Sequence, residues 1–197
     1  EEVSLSIAEF APAEVAGIVY AFAKWGNPCD EGVLDTLANT ATEFVIQQEY
    51  QPHGVAATVW SFAQLDKAHP DFFKAVATQD HAESFVPELT PQELSNTAWS
   101  YAKLGFSSDC LFRQIALCAA PLMPQFTPTE MSNLVWSFAT VRVIDEALFK
   151  AVAREAVPRL SEFNPQQQQN ALWAFMLAFT RDAGVYYCGC GKVLVKL

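Results

Sequence analysis

Large apolar residues recur along the chain with a period of roughly 38 residues, which indicates an internal repeat. The prolines that begin the copies, Pro12, Pro52, Pro91, Pro128 and Pro165, are separated by 40, 39, 37 and 37 residues. One aromatic residue stands eight positions after each proline and another stands ten positions after it: Tyr20 and Phe22, Trp60 and Phe62, Trp99 and Tyr101, Trp136 and Phe138, Trp173 and Phe175. Five copies of one pattern predict five copies of one structural unit.

Each copy begins with residues that favour the start of a helix, since proline is well tolerated at the first helical position. A capping residue followed three residues later by Glu or Gln predicts a capping box in the last three copies: Thr90 and Glu93, Thr127 and Glu130, Asn164 and Gln167. Ala11 and Gln51 replace the capping residue in the first two copies. We therefore expect less stable helix starts there.

A second helix is expected in the first four copies, because acidic residues that favour a helix N-terminus follow the first helix: Asp30 and Glu31, Asp71, Asp109, and Asp145 and Glu146. The repeating unit is then a helical hairpin. The predicted fold is all-α, an α-solenoid of about four and a half hairpins. It covers residues 10–180, with repeats starting near 10, 50, 89, 126 and 163. Residues 1–9 form a lead-in, and residues 181–197 form a non-repeat tail with the composition of a short hairpin or extended segment.

Two faces of the first helix are apolar, and we expect the aromatic residues at the eighth and tenth positions to lie in the core. A third face, at the first, fifth, ninth and twelfth positions, carries mostly small polar residues. Such side chains can bond the base edges of single-stranded RNA. They also suit close packing of helices or contact with solvent, and both explanations fit the pattern. The candidate RNA contacts are Gln92, Asn96, Ser100, Thr129, Asn133, Ser137, Asn170, His53 and Ser61.

One basic residue lies at or just beyond the end of each first helix: Lys24, Lys67, Lys103, Arg142 and Arg181. As phosphate contacts, these residues would form a row along one edge of the solenoid. A cation at a helix C-terminus also interacts favourably with the helix dipole, which is the alternative explanation.

The charge of the chain weighs against tight RNA binding. The net charge is −10 and the pI is about 4.6, whereas domains that bind nucleic acid are usually basic. Part of the acidity has a structural role, because many of the Asp and Glu residues stand at helix starts.

We find no sequence signature of catalysis, of a metal site or of a cofactor site. There is no glycine-rich phosphate loop, serine elbow or HExxH motif. The five cysteines have no metal-ligand spacing, and Cys29, Cys110 and Cys118 are expected to be buried free thiols. No apolar run is long enough to span a membrane, and no targeting peptide is visible. We therefore predict a protein that is not an enzyme and does not insert into a membrane.

The strings "TPQELSNTAWSYAKLG" and "FNPQQQQNALWAFMLAF" resemble the octotricopeptide repeat family and the related repeats found beside RAP domains. The resemblance covers about residues 10–180. It implies an organellar protein, of chloroplast or mitochondrion, that binds single-stranded RNA and acts in transcript stability, processing or translation. By this resemblance Asn96, Asn133 and Asn170 are RNA contacts. The alternative hypothesis is a protein–protein scaffold in a large organellar complex, without RNA contact.

Overall fold

The computed structural model describes residues 10–26 and 31–179, together with the backbone of two short strands in the tail. Three short 3₁₀ turns lie at Val86–Glu88, Met123–Gln125 and Leu160–Glu162. The strands are β1 (Tyr186–Cys188) and β2 (Lys192–Leu194), which pair in antiparallel fashion. The helices of the described residues are α1 (Pro12–Trp25), α2 (Glu31–Ile46), α3 (Pro52–Gln64), α4 (Pro70–Val76), α5 (Gln79–Phe85), α6 (Pro91–Leu104), α7 (Asp109–Leu122), α8 (Pro128–Val141), α9 (Glu146–Ala156) and α10 (Pro165–Phe179).

The helices form two layers, and the predicted all-α fold is confirmed. The first helices of the repeats, α1, α3, α6, α8 and α10, pack side by side in chain order. The second helices, α2, α4 with α5, α7 and α9, form the other layer. Each first helix begins at its proline, as the repeat predicts. The core lies between the layers and between successive first helices.

The capping boxes of the last three repeats are present. The Thr90 backbone N–H donates to Glu93 Oε2 at 2.9 Å, and the Glu93 N–H donates to Thr90 Oγ1 at 3.4 Å. Thr127 with Glu130 and Asn164 with Gln167 make the same pair of bonds. The first repeat keeps half of the box, because Glu14 accepts the backbone N–H of Ala11 at 2.8 Å. The Gln51 side chain makes no capping bond in the second repeat.

The second helix of the second repeat is broken into α4 and α5, where the sequence predicts one helix. The break lies at Ala77 and Thr78, and the backbone of Thr78 is extended. The Thr78 hydroxyl donates to the Ala75 carbonyl at 3.1 Å, which is the carbonyl that a continuous helix would offer to Gln79. This bond satisfies the hydroxyl at the break, where the backbone of Thr78 has left the helical conformation.

Of the two aromatic residues in each of the three middle repeats, the one at the tenth position is fully buried. Phe62, Tyr101 and Phe138 are each at most 1% exposed. Their rings meet aromatic residues of the second helices edge to face, for example Phe112 and Phe138 with ring centroids 4.9 Å apart. The Tyr101 hydroxyl donates to the Phe73 carbonyl at 2.7 Å, so its polar end is also satisfied inside the core.

The two cysteines within the described residues are free thiols, as expected, but they are half-buried. Cys110 and Cys118 lie on the flank of α7 and pack only partly against the core. Burial still raises the pKa of the Cys118 thiol above its ordinary value. Cys29 lies outside the described residues. No helix within the described ranges is long and apolar enough to cross a membrane.

His81 makes the stability of the fold depend on pH. Its side chain is 6% exposed, stacks on Phe85 with ring centroids 4.8 Å apart, and neither ring nitrogen has a hydrogen-bond partner. Burial lowers the pKa of His81 below its ordinary value. As the pH falls through about 6.5, His81 is protonated in the unfolded chain before it is protonated in the folded protein. The free energy of unfolding therefore decreases.

We expect urea unfolding at about pH 7.5 and about pH 5.5 to show a lower free energy of unfolding at the acidic value. The His81→Leu variant should lose less stability between the two conditions. His69, whose pKa is also lowered by burial, remains in both proteins as a common background. An equal loss in the parent and the variant would contradict this account of His81.

Candidate functional site

The exposed side of each first helix consists of the first, fifth, eighth and twelfth positions after the proline. An α-helix turns by about 100° per residue, so the eighth position lies about 30° from the centre of this side and the ninth about 70° away. All residues at these positions are exposed or half-buried. We call them the open face: Ala13, Gly17, Tyr20 and Lys24 in α1; His53, Ala57, Trp60 and Gln64 in α3; Gln92, Asn96, Trp99 and Lys103 in α6; Thr129, Asn133, Trp136 and Thr140 in α8; Gln166, Asn170, Trp173 and Leu177 in α10.

Three of the predicted RNA contacts do not belong to the open face. Ser61, Ser100 and Ser137 stand at the ninth position and are fully buried. Each hydroxyl donates to the carbonyl four residues earlier in its own helix, at 2.6 to 2.7 Å. The ninth position turns toward a neighbouring first helix, where only a small side chain fits. These serines are therefore packing residues, and their hydroxyls are not offered to a ligand.

The tryptophans correct a second expectation, because the eighth position is not core. Trp60, Trp99 and Trp136 are half-buried, and Tyr20 and Trp173 at the ends of the stack are 41% and 44% exposed. The rings of Tyr20 and Trp60 pack against each other with centroids 5.5 Å apart, and all five rings keep part of their surface exposed. The aromatic repeat in the sequence therefore contains two different roles, a core ring at the tenth position and a surface ring at the eighth.

The predicted phosphate contacts do not form one row. Lys24 and Lys103 lie on the open face at the twelfth position. Lys67 instead bonds Glu31 at 2.5 Å, and the hydrogen bond and charge of Glu31 raise the pKa of Lys67.

Among the described residues, Arg142 lies neither on the open face nor in an ion pair like that of Lys67. Arg181 lies outside the described residues. Arg142 ends α8 in the left-handed conformation and lines a shallow cleft beside Asp109 and Asp145. Only Lys24 and Lys103 therefore share a surface with the predicted RNA contacts.

The polar residues of the open face are partly engaged with the next repeat. His53 Nδ1 lies 2.8 Å from Glu93 Oε1, and the Gln167 amide donates to Thr129 Oγ1 at 2.8 Å. Burial alone would raise the pKa of Glu93, but hydrogen bonds from Thr90 and His53 hold this pKa below its ordinary value. Gln92, Asn96, Asn133 and Asn170 also lie on the open face. Their contact with RNA stays a prediction.

Sequence reasoning missed the bonds that hold neighbouring first helices in register. Ser95 Oγ donates to the Glu130 carbonyl, and Ser132 Oγ donates to the Gln167 carbonyl, both at 3.0 Å. Both serines stand at the fourth position, and both carbonyls belong to the second position of the next repeat. The sequence signal for these bonds was a serine at the fourth position of the third and fourth copies only. The first two copies have alanine at this position.

The open face carries no carboxylate, although the chain has 22 Asp and Glu residues. Its charged groups are the two lysines. The nearest carboxylates along the first helices are Glu14, Glu93 and Glu130 at the second position, and each accepts a backbone N–H at its own helix start. Glu93 also lies 2.8 Å from His53, so its carboxylate stands at the edge of the open face and not within it.

Within residues 10–26 and 31–179 there is no cluster of three or more His, Cys, Asp or Glu residues that could hold a metal ion. Fold and surface together define the protein as a helical-repeat protein, in which the recurring exposed side of one helix forms an extended surface.

The family model of the RNA-editing substrate-binding complex 6 protein, RESC6, matches residues 3–189. The chain belongs to this family. The assignment overturns the octotricopeptide resemblance, which was wrong: the shared tenth-position aromatic and Ala positions reflect the packing needs of a stacked helical hairpin and do not distinguish one repeat family from another. No curated protein matches the chain.

The different roles of the fifth and ninth positions predict different effects of substitution. Ser100→Leu should lower the free energy of unfolding by about 1–3 kcal/mol, because a larger side chain overfills the contact between helices. Asn96→Ala, on the half-buried fifth position of the same helix, should change it by less than about 0.5 kcal/mol. Chemical denaturation of both variants measures this. Equal effects would contradict the burial of the ninth position.

Proposed function

We propose that the protein is a non-catalytic scaffold subunit of an assembly that binds RNA-editing substrates. The family match over residues 3–189 carries this proposal, because the family is described as a component of such a complex. A stack of helical hairpins suits the role, since it offers long surfaces on two layers to several partners at once. Of the two organelles left open by the sequence, the mitochondrion fits this family, and the match gives no support to the chloroplast.

The second-helix layer is the surface we assign to protein partners. It exposes large apolar side chains, among them Ile46 at 69%, Leu117 at 62% and Val157 at 62%. Exposed acids such as Glu43 and Glu83 lie on the same layer. Apolar residues within a polar, acidic surround are the composition of a protein interface with a basic partner.

Single-stranded RNA is a second candidate ligand, and the open face favours it. A surface without carboxylates, with aromatic rings and two lysines, stands out on a chain with a net charge of −10. Such a surface avoids the repulsion of phosphates that the rest of the protein would impose.

The scaffold role is tested by purifying the tagged protein from its own cells with and without ribonuclease treatment. We expect the co-purifying proteins to remain after treatment, because their contacts are with protein. Leu117→Glu should reduce their recovery by placing a charge in the interface. Gln64→Glu, on the open face, is the matched control and should leave recovery unchanged. Release of all partners by ribonuclease from the parent protein would reject the scaffold role.

A further inference from the structure

We propose that the open face binds single-stranded RNA by stacking bases on its aromatic rings, with Lys24 and Lys103 contacting phosphates. Binding of this kind tolerates different sequences, since every base has a flat face. The inference rests on the second candidate function above and names its mode of recognition.

The first observation is the repetition of a surface ring in every repeat. Tyr20, Trp60, Trp99, Trp136 and Trp173 stand at one position of five helices that lie side by side. None of these rings is fully buried. Core packing does not require a half-exposed indole at this position, because the ring at the tenth position already fills the core. The row instead supplies successive stacking platforms across the first-helix layer.

The second observation is that cations lie directly against these rings. Lys24 Nζ is 4.9 Å from the ring centroid of Trp60 and 5.3 Å from that of Tyr20. Lys103 Nζ is 5.2 Å from the centroid of Trp99 and also donates to the Ala63 carbonyl of the preceding first helix at 2.5 Å. Both ammonium groups are thereby held over the rings of Tyr20, Trp60 and Trp99, and in the proposed complex they contact the phosphates of nucleotides whose bases stack beside them.

Base-edge reading by the polar stripe is the weaker mode. The hydroxyls of Ser61, Ser100 and Ser137 are buried, and two further polar groups, on His53 and Thr129, bond the next repeat. The remaining amides are too few to read a base in every repeat. Stacking is the interaction that the open face offers regularly.

A basic peptide is the competing ligand, because aromatic rings also bind Arg and Lys side chains. The charge of the open face distinguishes a basic peptide from RNA as its ligand. A basic peptide needs carboxylates to pair with its cations, and the positions of the open face hold none; the carboxylate at its edge, Glu93, is already bonded to His53 and to the start of its own helix. Its two lysines repel a basic peptide and attract a phosphate backbone.

The test is a fluorescence-anisotropy titration of fluorescein-labelled oligouridylate and oligocytidylate with the parent and variant proteins at low and high salt. Trp99→Leu and Trp136→Leu should each weaken binding by roughly tenfold, because they remove a stacking platform and keep an apolar side chain. Lys24→Gln and Lys103→Gln should weaken binding and flatten its salt dependence. The two oligonucleotides should bind within a few-fold of each other.

Matched controls are available in the same chain. Trp25→Leu removes a tryptophan that is 78% exposed but stands outside the open face, and Lys67→Gln removes a lysine that pairs with Glu31. Both should bind RNA as the parent does. Melting temperatures of all variants establish that they are folded. For a tryptophan variant that fails to fold, Trp99→Phe takes its place, because it keeps a smaller stacking ring and should lose less affinity than Leu.

The outcomes separate the inference from the candidate function. If the lysine variants weaken binding and the tryptophan variants do not, RNA binding stands and stacking is overturned. If the parent protein does not bind either oligonucleotide at low salt, the RNA candidate fails and stacking fails with it. If an arginine-rich peptide binds instead and Trp99→Leu weakens that binding, the open face is a protein surface and the inference is overturned.

Discussion

The close approach of successive first helices is the contact on which the rest of the structure depends. It requires small residues where the helices meet, and buried Ser or Ala fills the ninth position of α3, α6, α8 and α10. Ser95 and Ser132 then bond the backbone of the next helix and fix its register. Once the helices are held in this way, the same side of each one is presented in the same direction. An extended surface made of five helices follows from a packing rule inside the repeat.

The periodic sequence was enough to predict the fold, because the signals involved are local and occur several times. Prolines and capping boxes mark helix starts, and the recurring aromatic residues mark the repeat. The candidate site was harder to predict, since exposure depends on which side of a helix meets its neighbour. Each first helix packs against neighbours on two sides. The geometry of the stack therefore determines which of its residues are buried. We expected Trp99, at the eighth position, in the core and Ser100, at the ninth, on the surface. The structure has the reverse, because the exposed side of the helix is shifted by one position. The break between α4 and α5 was missed because neither Gly nor Pro marks it in the sequence.

The distribution of charge is compatible with an acidic chain in a family named for a complex that binds RNA-editing substrates. Acids serve at helix starts and on the second-helix layer, where Glu43 and Glu83 are exposed. The first-helix layer presents neutral amides, aromatic rings and two lysines. Protein partners on one layer and RNA on the other are compatible roles for one subunit, and the two layers give them separate surfaces. Net charge alone is a poor guide to ligand class in a solenoid for this reason.

The central claim is that the open face is the surface nearest RNA in the assembly. Ultraviolet crosslinking of the native complex, followed by mass spectrometry of the peptides that carry nucleotides, tests it most directly, because aromatic rings stacked on bases crosslink efficiently. The account predicts adducts on peptides of α6, α8 and α10 that contain Trp99, Trp136 and Trp173. Adducts confined to α7 and α9 of the second-helix layer, or their absence from this chain while other subunits crosslink, would contradict it.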